Sequence, residues 1–263
     1  MKNKICPVLS PPQAVPSDYL GGVLGGAPGK LCWQGAPHRA HNSLCGHSSP
    51  PPSGRGILVA SNKKQKVRTI IRALKKLIPN PEMELRYKNN WELLVAVILS
   101  AQCTDKQVNK VTKELFKKYR TLDDYVCAKP TVFEKDIYST GFYRNKTKHI
   151  LAAARMVKEK FGERIPRTMG EILMLPGVSR KTANVVLGNA YGVVEGIAVD
   201  THVVRLARRF GLTKHTDPKK IECDLMEIIP KSEWFHFTYL VIGYGRGYCP
   251  AHAKICPLDH LML

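Results

Sequence analysis

From Ser61 onward, apolar residues recur at helical spacing. Val67, Ile70, Ile71, Leu74, Leu77 and Ile78 fall at intervals of three and four on one face of a helix that Pro79-Asn80-Pro81 ends. Trp91 to Leu99 is a nearly unbroken apolar run and reads as a buried helix. Thr104 to Tyr119 is amphipathic, with Val108, Val111, Leu115 and Phe116 inward and Lys106, Lys110, Lys113 and Lys117 along its other side. Similar patterns predict helices over Thr131 to Ile137, Asn145 to Phe161, Met169 to Leu173, Lys181 to Tyr191, Thr201 to Arg209, Pro218 to Ile229 and Trp234 to Gly245. No stretch alternates long enough to argue for a sheet, so the predicted fold class is all-α.

Composition changes the picture at one end. Nine of the 18 prolines and nine of the 20 glycines lie in residues 1–56, and such a segment buries too little apolar surface to order itself. Residues 1–60 are therefore expected to be a disordered extension. A mis-chosen start codon is an alternative, and an organellar transit peptide fits less well because the segment has only Arg39 and Arg55.

Charge narrows the partner. Lys and Arg number 41 against 21 Asp and Glu, a net charge of +20, which calls for a polyanion, either nucleic acid or an anionic membrane surface. The longest apolar runs, Leu93 to Leu99 and, interrupted by Glu195, Val193 to Val199, are far shorter than the roughly 20 residues of a membrane span. Nucleic acid is favoured, and no membrane association is expected. A solvated face explains Lys106, Lys110, Lys113 and Lys117, and a stripe that tracks phosphates is the sharper alternative. The eight cysteines lack the paired spacing of a secreted scaffold, and no apolar signal segment follows Lys2 and Lys4. The expected setting is intracellular, in the cytoplasm or nucleoid if the source is bacterial or archaeal.

The most informative residues are Leu175-Pro176-Gly177-Val178-Ser179-Arg180-Lys181-Thr182-Ala183, followed by Val199-Asp200-Thr201-His202. Pro176-Gly177 supports a tight turn, and the N–H groups of the following helix start are then available to a phosphate oxygen. These segments resemble the helix-hairpin-helix signature of the endonuclease III family of DNA glycosylases. The resemblance continues through Leu94-Val95-Ala96-Val97-Ile98-Leu99-Ser100-Ala101-Gln102 and Gly141-Phe142-Tyr143-Arg144-Asn145-Lys146. It implies a six-helix barrel over residues 83–194 that includes the hairpin, and a second helical domain made from residues 61–82 and 195–263, with the active site in the cleft between them. Ser179 stands where the family pattern has a second glycine, so the hairpin either tolerates strain or places this residue at negative φ.

The resemblance also implies a chemistry. Lys181 is the expected nucleophile, attacking the sugar C1′ of a damaged nucleoside to leave a Schiff base. An ordinary lysine, with a pKa of about 10.4, is protonated at neutral pH, so desolvation at the helix start is expected to free its amine. Asp200 occupies an N-cap position, and its carboxylate suits the deprotonation of the lysine or the support of positive charge on the sugar. Gln102 matches a space-filling glutamine and Phe142 an apolar wedge, both needed because a base must leave the stack before it can react. Gly177, Val178, Ser179 and His202, with Lys106 and Lys110, complete the expected DNA-binding set. The implied partner is double-stranded DNA with damaged bases or abasic sites, bound by a monomer, and the implied activity is excision of oxidised pyrimidines followed by β-elimination. An adenine-type glycosylase that uses water alone and a non-catalytic helix-hairpin-helix binder are the alternatives.

The tail departs from the family pattern, C-x6-C-x2-C-x5-C, whose four thiolates hold a [4Fe–4S] cluster. Only Cys249 and Cys256 remain, as remnants of that motif. Aligned by spacing they are the first two ligands and Asp259 replaces the third. Aligned on Cys-Pro-Leu, Cys256 is the third, Ala253 replaces the second and Met262 the fourth. A zinc site joining His252 and His260 to the cysteines has unusual spacing. The expectation is a C-terminal loop without cluster, metal or other cofactor.

Overall fold

The computed structural model describes residues 54–261, which lie in one compact unit, His47–Leu263. Among the described residues are eleven α-helices, three short 3-10 turns and no strand, as the all-α reading requires. They are α1 Gly54–Leu77, α2 Asn90–Leu99, α3 Asp105–Lys118, α4 Leu122–Val126, α5 Pro130–Ile137, α6 Tyr143–Lys160, α7 Met169–Ile172, α8 Arg180–Tyr191, α9 Thr201–Arg209, α10 Pro218–Ile228 and α11 Trp234–Gly247.

Most helices start where a short polar side chain can accept an orphan N–H. Asn89, Thr104, Thr168, Ser179, Asp200 and Asp217 each cap the helix that follows, at about 1 kcal/mol apiece. Two elements differ from expectation. α1 begins at Gly54, so residues 54–60 are helical and correct the reading of a disordered extension to residue 60. The apolar run Ile57-Leu58-Val59-Ala60 continues the helix backward, and its signal is diluted by neighbouring Pro and Gly. The rest of that expectation, residues 1–53, lies outside the described residues. α4 is too short to show periodicity and is set by a reciprocal capping box between Thr121 and Asp124.

Two buried cores organise these helices. The first gathers Leu93, Leu94, Leu99, Tyr125, Phe133, Ile150 and Val186 from α2 to α8. α2 runs through it with every residue from Glu92 to Leu99 buried. The second joins α1 to the C-terminal helices through Val67, Ile70, Leu74, Val203, Leu206, Leu225, Phe237, Leu240 and Tyr244. Full burial of each such side chain stabilises by about 1.5–3 kcal/mol. The chain crosses from one core to the other between α8 and α9, the two helices whose N-termini carry Lys181 and Asp200.

Candidate active site

Between α7 and α8 the chain turns through Gly177, which is exposed and held at φ +80°. A side chain here is excluded twice, since the backbone is left-handed and an added Cβ would lie 2.7 Å from the Cβ of His149 on α6. Val178 is half-buried and packs against the first core. Ser179 sits at φ −85°, and its Oγ accepts the N–H of Thr182 at 3.2 Å. Serine therefore replaces the family's glycine without strain, because the position is a helix cap. Lys181 is the second residue of α8 and is exposed. Its side chain is open to solvent, so the desolvation expected at this helix start requires a bound partner that displaces the water.

Asp200 caps α9, its Oδ1 accepting the Val203 N–H at 2.8 Å. Two residues on, His202 is half-buried, and its Nδ1 is enclosed without a hydrogen-bond partner. An added Cβ on Gly245 of α11 would lie 2.5 Å from that nitrogen, so α9 and α11 meet closely there. Burial pushes the His202 imidazole below its ordinary value; Asp200 opposes this, and Arg246, Arg205 and Lys181 add to it. The ring is therefore neutral at pH 7. Lys181 on α8 and Asp200 at the cap of α9 thus act on one imidazole with opposite sign.

Gln102 and Phe142 are both exposed, at φ +54° and +48°, and Phe142 is 62% accessible. Neither belongs to the cores. Lys106 and Lys110 are exposed along α3. Arg246 of α11 pairs with Asp105, at 2.7 Å, and with Glu84, tying the second core to the start of α3 just beyond Gln102. A cleft of about 530 Å³ lined by Arg120, Arg164 and Arg167 opens at the other end of α2, and none of the expected site residues lines it.

Sequence reasoning does not anticipate the clamp that orients α8. Glu222 of α10 is 6% exposed and accepts from Arg180 Nε at 2.8 Å and Asn184 Nδ2 at 3.0 Å. Arg180 and Asn184 are one turn apart, flanking Lys181, so a single carboxylate fixes the rotation of the helix that presents the lysine. An added Cβ on Gly196 would collide with Glu222 Oε1. The i, i+4 spacing of Arg180 and Asn184 was a legible signal; their partner, distant in sequence, was not.

The tail does not fit an iron–sulfur cluster. Cys249 and Cys256, the two cysteines left of the four-cysteine motif, are bonded to each other with Cα atoms 5.3 Å apart. Asp259 is bound bidentately by Arg209, at 2.9 and 2.6 Å, and accepts the Cys256 N–H at 2.8 Å. Arg209 also donates to the carbonyls of Ala253 and Lys254, and Arg205 to that of Cys249. No group of three His, Cys, Asp or Glu side chains among the described residues could hold a metal ion. No described helix is long and apolar enough to cross a membrane.

Known proteins place this architecture. Residues 95–231 match the family model of the HhH-GPD superfamily base excision DNA repair protein. Endonuclease III of Synechocystis sp. is 48% identical over 196 residues, 74% of this chain and 90% of that protein. Endonuclease III of Bacillus subtilis is 45% identical over 181 residues, covering 68% and 82%. A solved structure of a trapped endonuclease III–DNA covalent intermediate superposes with a TM-score of 0.72 at 46% identity, over 75% of this chain and 94% of that one. The chain belongs to the HhH-GPD superfamily of base excision DNA repair proteins and, within it, to the endonuclease III family.

Proposed function

We propose that the protein is a DNA glycosylase and abasic-site lyase that removes damaged, oxidised pyrimidines from double-stranded DNA through a covalent bond to Lys181. The observation that supports this reading is that Lys181 and Asp200 stand at the capped starts of α8 and α9, where the chain passes from one core to the other, and both act electrostatically on His202. The cores act as two helical lobes, residues 83–194 and residues 61–82 with 195–263, flanking the DNA cleft. The hairpin N–H groups at Gly177 and Ser179 seat a phosphate without reading sequence, while the Val178 N–H donates to the Leu175 carbonyl and holds the turn that presents them. Lys106 and Lys110 extend that contact, while Gln102 and Phe142 fill the space left by the extruded base.

In the reaction, the Asp200 carboxylate takes a proton from Lys181, and the neutral Nζ attacks C1′ as the bond to the base breaks. The base leaves with the electron pair and is protonated. Opening of the sugar ring gives an iminium between Nζ and C1′. Removal of a C2′ proton then expels the 3′-phosphate, and water hydrolyses the imine to return the free lysine. Asp200 has one oxygen committed to its helix cap, so the other is available to the cleft. An amine at this position favours the lyase over a glycosylase that uses water alone. The enzyme works as a monomer inside the cell and without a cluster, a reading supported by the pairing of Cys249 with Cys256 and by the hold of Arg209 on Asp259.

A panel of duplexes, each with one defined lesion, tests the assignment. Oxidised pyrimidines should be excised and the strand cut on the 3′ side of the site; binding without excision of any lesion would refute it.

A further inference from the structure

Gln102 and Phe142 lie on separate segments, and both adopt a left-handed backbone that side-chain-bearing residues avoid unless their surroundings enforce it. The two segments share one partner. Lys146, in the first turn of α6, is only 4% exposed, and its Nζ donates to the carbonyl of Leu99 at 2.8 Å and to that of Thr140 at 2.8 Å. Leu99 ends α2, three residues before Gln102; Thr140 lies two residues before Phe142. Neither partner is a carboxylate. Burial lowers the pKa of this ammonium, and a methionine would fill the space without burying charge. What the ammonium has that methionine lacks is several donors on one atom, placed where the α2 dipole is negative. A further link runs from α3, where Gln107 Nε2 donates to Ser139 Oγ at 2.8 Å.

We propose that Lys146 is a positioning residue for base extrusion: one buried ammonium, holding the Leu99 and Thr140 carbonyls together, makes Gln102 and Phe142 a single two-pronged element that enters the duplex as a unit. This rests on the reading of those residues as gap fillers, so the test has one arm that needs no catalysis. In hydrogen exchange on the free protein, Lys146→Met should speed exchange about tenfold or more in both 100–104 and 140–143, with α8 and α9 unchanged. Faster exchange in one segment only, or in neither, overturns the clamp.

The second arm uses activity. Displaced prongs should slow excision from a fully paired duplex by about 10²-fold, while the same lesion inside a bubble of unpaired bases, where no stack is opened, is excised at close to the wild-type rate. Equal loss on both substrates would make Lys146 a general structural residue and refute the proposal. If the methionine variant does not fold, Lys146→Gln, which keeps a donor, is put through the same two arms with smaller effects of the same pattern expected. A wild-type protein that excises nothing refutes the assigned activity instead, and leaves the exchange arm to decide the clamp.

Discussion

Asp200 combines two roles that one substitution separates. Asn is as good an N-cap as Asp, so Asp200→Asn should leave the melting temperature nearly unchanged. Loss of the charge should lower excision by about 10²–10³-fold, the scale of removing one electrostatic contributor to a transition state. A lowered melting temperature with full activity would reduce Asp200 to a cap. Glu222 differs in kind, because its neutralisation leaves the Arg180 guanidinium, which is only 18% exposed, without a counter-charge. Glu222→Gln should destabilise by on the order of 3 kcal/mol in denaturant titration, with excision falling as α8 loses its fixed rotation. Gly177, Lys181 and Asp200 could be singled out in the sequence because they stand in two short segments that carry the family resemblance. Glu222 and Lys146 were not, since a buried charge declares its purpose only when its distant partners are known.

α9 links the site to the tail. Its N-cap is Asp200, while Arg205 and Arg209, one turn apart, hold the loop closed by Cys249–Cys256. The Arg209 guanidinium beside Asp259 holds that carboxyl below its usual value, assisted by the Cys256 N–H. A depressed carboxylate contributes stability that is present above its unfolded pKa of about 3.9 and lost as pH falls through the lower folded value. Proteolysis of the tail should therefore stay slow from neutral pH down to about 4 and accelerate only in stronger acid. Asp259→Asn should give fast cleavage already at pH 7, and a pH-independent difference near zero would show that the pair holds nothing. Helical periodicity made ten of the eleven helices legible within a few residues. The exceptions are physical: α4 is shorter than two turns, and the start of α1 sits in a window whose average is set by proline and glycine.

Across the whole molecule, the charge of +20 and the two-core architecture serve one polyanionic substrate. Binding should weaken steeply with salt, with a log-log slope of about −0.9 per duplex phosphate neutralised, and a flat response would remove the hairpin and α3 lysines from the interface. Elemental analysis of anaerobically purified protein should find no stoichiometric iron, and chelators should leave it folded and active; about four irons per chain would contradict the reading of the tail. The fold class and the family were legible from composition, period and motif together, whereas the disulfide and the Arg209 clasp depend on how the tail folds back on α9. The central claim is that a covalent bond forms between Lys181 and the sugar, and borohydride reduction during reaction with abasic-site DNA reads that bond directly. The wild-type protein should be trapped as a covalent adduct, and Lys181→Gln should give none while still binding the DNA; an adduct that persists in Lys181→Gln would contradict the account.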